Sequence, residues 1–82
     1  MREEKDFLND ITNMVFDLIY KKYQETHSDE VVIEFPFEIR EQRTEVGTEL
    51  TDNGYIVKFG VYGKRFFSCI LTQSTINLFN ER

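Results

Sequence analysis

Residues 55–71 read Tyr-Ile-Val-Lys-Phe-Gly-Val-Tyr-Gly-Lys-Arg-Phe-Phe-Ser-Cys-Ile-Leu, two runs of β-branched and aromatic residues that meet at Gly63-Lys64. Gly63 takes positive φ without Cβ strain, which suits the first central position of a two-residue type II′ turn, so the stretch predicts a β-hairpin. With that turn Val57 faces Ile70, Phe59 faces Ser68 and Val61 faces Phe66. Everything else in the chain can be placed against this hairpin.

Immediately upstream, Asp52-Asn53-Gly54 contains the dipeptide preferred in a type I′ turn, because both central residues tolerate positive φ. Thr44 to Thr51 then reads as a strand that places Leu50 opposite Val57, Glu49 opposite Lys58 and Val46 opposite Val61. The two registers agree, aligning Leu50, Val57 and Ile70, and likewise Val46, Val61 and Phe66, as one apolar face. Further upstream the period is again two. Val31, Ile33, Phe35, Phe37 and Ile39 point one way, and Val32, Glu34, Pro36, Glu38 and Arg40 the other. Pro36 has no N–H for a ladder, which places this strand, Val31 to Arg40, at an edge or at a bulge. A loop over Glu41 to Thr44 sets Arg40 opposite Glu45.

From Glu3 to Gln24 the spacing is helical. Phe7, Leu8, Ile11, Met14, Val15, Leu18 and Ile19 fall within an arc of about 140° at 100° per residue, wide enough to lie on a sheet. Phe16, Tyr20 and Tyr23 lie outside that arc as a second, aromatic stripe, either rim residues with wet hydroxyls or a contact with another chain. After Leu71, Ser74 or Thr75 can cap a short helix containing Ile76, Leu78 and Phe79, while the alternation Thr75, Asn77, Phe79 fits an extended segment. The fold predicted is α+β: an N-terminal helix on a four-stranded antiparallel meander in order 1-2-3-4, with a short C-terminal helix or extended segment, in one domain spanning 1–82.

Composition narrows the function. Eighty-two residues leave no room for a second domain. Fifteen Asp and Glu against ten Lys and Arg give a formal charge of −5, and the basic residues are scattered, which opposes direct nucleic-acid binding and adhesion to anionic membranes. No apolar run of signal-peptide or membrane-spanning type occurs, so a cytoplasmic protein is expected. A lone Cys69 excludes an internal disulfide, and together with a lone His27 it cannot supply a zinc set; neither metal nor cofactor is expected. His27 sits in a polar connection far in sequence from Ser68 and Cys69, so no nucleophile, base and orienting group are indicated. No phosphate-binding glycine loop is present, and an enzyme is not expected.

The element order is similar to that of double-stranded-RNA-binding domains and of cystatin-type protease inhibitors. The first would need a basic stretch opening its last helix, where this chain has Thr72-Gln73-Ser74-Thr75. The second would need a Q-x-V-x-G hairpin, and Gln42-Arg43-Thr44-Glu45-Val46-Gly47 lacks that spacing.

Two surfaces remain. On the predicted outer face of the sheet the first two strands present Glu34, Glu38, Glu45 and Glu49, and the last two present Ile56, Tyr62, Phe67 and Leu71. An apolar patch of that kind marks an interface. The expectation is a non-enzymatic acidic protein that binds another protein, as a regulator or inhibitor of the sort phages and mobile elements encode, and that forms a homodimer. The interface residues would be Ile56, Tyr62, Phe67 and Leu71, with Phe16, Tyr20 and Tyr23 on the helix. The alternative is a nucleic-acid mimic whose four Glu imitate phosphates and block a basic groove.

Overall fold

The structure is a computed structural model that describes residues 10–82. Its elements are α1 (Asp10–Thr26), β1 (Glu30–Glu34), a 3-10 helix (Phe37–Gln42), α2 (Arg43–Asp52), β2 (Ile56–Tyr62), β3 (Phe66–Leu71) and α3 (Gln73–Asn80). The class is α+β with an antiparallel sheet, as the sequence predicts, but the sheet has three strands in order β1-β3-β2. The four-stranded meander in order 1-2-3-4 is therefore corrected: its second strand is a helix, and the hairpin's last strand is the centre of the sheet.

The helix forms where a strand is predicted because Val46 and Leu50, four residues apart, satisfy both periods. Ile39 in the preceding 3-10 turn extends the buried stripe at helical spacing, and all three are buried. Gly47 weakens the helix intrinsically, yet it is required. A Cβ there would fall inside the Phe59 ring, so its absence lets β2 pack directly on the α2 backbone. Asn53-Gly54 ends this helix instead of turning a hairpin. Tyr55 N–H donates to Leu50 O at 2.9 Å and Gly54 N–H to Thr51 O at 3.0 Å, the paired bonds of a Schellman cap, with Gly54 at φ +80. Both motifs put Gly54 at positive φ, but the type I′ turn needs it at Asn53 as well, and Asn53 sits at φ −93; the dipeptide alone does not distinguish them.

β1 is an edge strand that stops at Glu34, and Pro36 precedes the 3-10 helix with φ −56 and ψ 145. Phe35 remains buried after the strand ends, but Phe37, predicted to point inward, is 77% exposed. The β2–β3 loop holds three residues, with Tyr62 opposite Phe66, so the register is one residue away from the two-residue turn. Because side chains alternate, this slip turns β3 over. Phe67, Cys69 and Leu71 are buried, and Phe66, Ser68 and Ile70 face outward. An irregularity between Ile56 and Lys58 then lets Ile56 and Phe59 both point inward and leaves Val57 exposed.

The core lies between the inner sheet face and the helices. Val15 and Ile19 of α1 and Val46 and Leu50 of α2 meet Val31, Ile33, Ile56, Phe67, Cys69 and Leu71. Burying a side chain such as Phe67 fully contributes about 1.5–3 kcal/mol. In α1 the buried set is Thr12, Val15, Phe16, Ile19 and Tyr23, while Met14 is 42% exposed. The helix is thus rotated toward its aromatic stripe, away from the predicted arc, of which Phe7 and Leu8 lie outside the described residues. Phe79 of α3 drives that rotation, with ring centroids 5.2 Å from Phe16, 5.0 Å from Tyr20 and 5.7 Å from Tyr23. The C-terminal segment is a helix, capped two positions before Ser74 and three before Thr75. Thr72 Oγ1 accepts from Thr75 N–H.

Candidate functional site

Alternation along three strands sets the outward residues, and pairing sets them level with one another. Glu30, Ile70 and Lys58 form one row, Val32, Ser68 and Gly60 the next, and Glu34, Phe66 and Tyr62 the third. Among the described residues no element is laid over this face: α1 and α2 pack on its opposite side. Val32 is 37% exposed and Tyr62 49%, while Phe66 and Ile70 are half-buried by their neighbours. Tyr62 stacks on Phe66 with centroids 5.6 Å apart and Arg65 lies over the same ring at 5.3 Å, so the third row is held as a slab. At the centre Gly60 has no side chain, which leaves a depression of about 280 Å³ bordered by Glu30, Lys58, Ser68 and Ile70.

Charge divides the face by strand. β1 contributes Glu30 and Glu34, and β2 contributes Lys58. Glu34 already pairs with Arg40 at 3.1 Å and Arg65 at 3.5 Å, whereas Glu30 and Lys58 make no ion pair among the described residues. Arg43 fixes the hairpin end beside this row, donating from Nη1 to the carbonyls of Tyr62 at 3.2 Å and Phe66 at 3.0 Å.

The structure redistributes the residues predicted for the interface. Of the sheet set, Tyr62 faces outward, but Ile56, Phe67 and Leu71 are buried at 2%, 0% and 3% exposure and belong to the core. The one-residue register slip and the β2 irregularity account for all three. Of the helix set, Phe16 and Tyr23 are buried under α3, and Tyr20 is half-buried between Phe79 and Arg82, whose guanidinium lies 4.8 Å from its ring. Tyr23 O–H donates to Asn80 Oδ1 at 3.0 Å, so this stripe is an internal joint.

Nor do the four Glu form a row. Glu34 ends β1, Glu38 lies on the 3-10 helix, and Glu45 and Glu49 lie on α2, where Glu49 accepts from Thr12. That dispersal follows from the same strand-to-helix correction. The residues that sequence reading missed are Phe66, Ile70 and Gly60, assigned inward or not at all. Only the hairpin loop length would have revealed them, since three residues instead of two exchange the faces of β3.

Among the described residues, the lone Cys and the lone His both hold structural places. Cys69 points inward, and burial pushes its thiol up to about 12, so it carries no thiolate for attack. His27, at φ +54, donates its N–H to Tyr23 O at 2.7 Å and closes α1 as a left-handed cap. Among the described residues no three His, Cys, Asp or Glu side chains are grouped to hold a metal ion, and no helix is long and apolar enough to cross a membrane. Comparison with protein-family models, with curated proteins and with solved structures finds no match to this chain.

Proposed function

We propose that this chain is a non-enzymatic interaction protein, a regulator or inhibitor that acts by binding another protein chain through the open face of its sheet. One observation carries the reading: the three strands are covered by helices on one side only, and the other side presents Val32, Tyr62, Phe66 and Ile70 between charged edges. A sheet face that met only water would alternate to polar residues at these positions. The mixed, partly apolar character is that of a modest protein interface, whose core is depleted of charge and whose rim retains it. Dispersal of the four Glu over three elements gives less support to a nucleic-acid mimic, which needs closely ranked negative charge.

The test is a comparison of two surfaces. Ile70→Asp and Phe66→Asp are expected to abolish association, read by crosslinking and by molar mass in solution, while leaving the helical circular dichroism intact. Lys21→Glu, on the exposed side of α1, is expected to change neither. If the helix-side change disrupts association and the sheet-face changes do not, the face is wrongly chosen.

A further inference from the structure

We infer that the open face takes a second copy of this chain, and that the two sheets stack about a two-fold axis running along β3. This rests on the reading of that face as a protein-binding surface and identifies the partner. An isologous contact requires the surface to complement itself, and the three level rows allow that to be checked position by position. Rotation about an axis along β3 lays β1 of one copy over β2 of the other and keeps each row level. Glu30 then meets the second copy's Lys58, Val32 meets the second copy's Gly60, and Ile70 and Phe66 meet their own counterparts. The two unpaired charges of the first row neutralise each other twice. Val32, the exposed β-branched side chain of the middle row, enters the depression over Gly60. Glu34 comes over Tyr62, whose hydroxyl can donate to it.

The other two-fold available to stacked sheets, across the strands, lays β1 on β1 reversed. It sets Glu30 against the second copy's Glu34, Val32 against Val32, and Gly60 against Gly60 as an unfilled gap. Charge and shape both select the axis along β3. Stacked sheets cross at about 30° and sit about 10 Å apart, so the middle row superposes and the long Glu and Lys side chains span the offset at the corners. Three strands of five residues give a footprint of about 15 by 17 Å, well below the roughly 800 Å² per partner of a standard interface, which makes a weak dimer with a dissociation constant on the order of 100 μM.

Sedimentation equilibrium of the full chain, from about 1 μM to 1 mM, tests this. The expected result is a reversible monomer–dimer transition. Lys58→Glu and Glu30→Lys should each weaken the dimer by about tenfold or more, since either puts like charges in contact at two symmetric places, and the double exchange should restore it. Gly60→Val fills the depression from its own chain. A Cβ there meets only Ser68 Oγ, at 3.4 Å; dimerisation should be lost while an unchanged circular dichroism spectrum shows the fold retained. Glu30→Lys strengthening association would instead support the crossed axis and overturn the arrangement, as would a double exchange that fails to rescue. A chain that stays monomeric to 1 mM overturns the homodimer. If Ile70→Asp then releases a different copurifying protein, the protein-binding reading of the face survives; if no association depends on that face, both fall.

Discussion

Cys69 illustrates how position in the sheet decides chemistry at a single residue. It occupies the central strand, points into the core at 2% exposure, and its thiol is pushed from 9.0 to about 12 by desolvation. The native thiol should therefore resist a thiol reagent at pH 8 and react fully once the chain is denatured. Because the folded pKa is raised above the unfolded one, the stability linked to this group is fully present below 9.0 and is lost as pH rises toward 12. The loss is at most about 1.4 kcal/mol per pH unit. It is read as the difference in alkaline denaturation slope between the wild type and Cys69→Ala, which share every other ionisable group. An identical slope in the two proteins would place the thiol in solvent. The predicted hairpin register put Phe66 and Ile70 on the core face, so the absence of a disulfide was legible in the sequence and the inward direction of Cys69 was not.

Among the elements, α2 departs furthest from the strand its sequence predicts, and its C-terminus shows why. Gly54 is the left-handed stop to this helix, and nothing lies within 4 Å of a Cβ built on it. Gly54→Ala should therefore cost only backbone strain, about 1–2 kcal/mol, measured by urea denaturation. Gly54→Asn should cost less, since Asn tolerates this region. Equal and negligible effects would argue against the cap. The α3 terminus is built differently, from hydroxyls: Thr72 Oγ1 caps Thr75 N–H, and buried Thr75 donates to Tyr55 O at 2.7 Å. Both caps converge on the Gly54-Tyr55 segment, which is how a helix end and a strand start are held together at the same corner.

At the level of the whole molecule, α3 closes the structure. Phe79 inserts among Phe16, Tyr20 and Tyr23, and Arg82 lies over that cluster while pairing with Asp17 at 3.7 Å. Phe79→Ala should cost about 3–5 kcal/mol. For a domain of this length the total is on the order of 5–10 kcal/mol, so the variant should be largely destabilised by chemical denaturation and lose its cooperative transition at modest heating. Phe37→Ala removes a ring of the same size from a 77% exposed site and should stay within about 0.5 kcal/mol of wild type. Comparable losses for the two would mean that α3 is not docked as described. The helices pack on one side of the sheet, and no described element covers its outer face.

What the sequence determined by itself was local: the N-terminal helix, the hairpin of residues 55–71, an edge position for the strand before Pro36, an α+β class, and positive φ at Gly54 and Gly63. These follow from propensity, periodicity and the steric freedom of glycine, which act over a few residues. Tertiary structure decided the rest. Val46 and Leu50 suit either period, and only the fit of the Phe59 ring on Gly47, with Ile39 beside them, makes their segment a helix. One residue in the hairpin loop decides which face of β3 is core, and the core volume available to Phe67, Cys69 and Leu71 settles it. Ile70 and Phe66 are surface residues for that reason, and the candidate site is theirs.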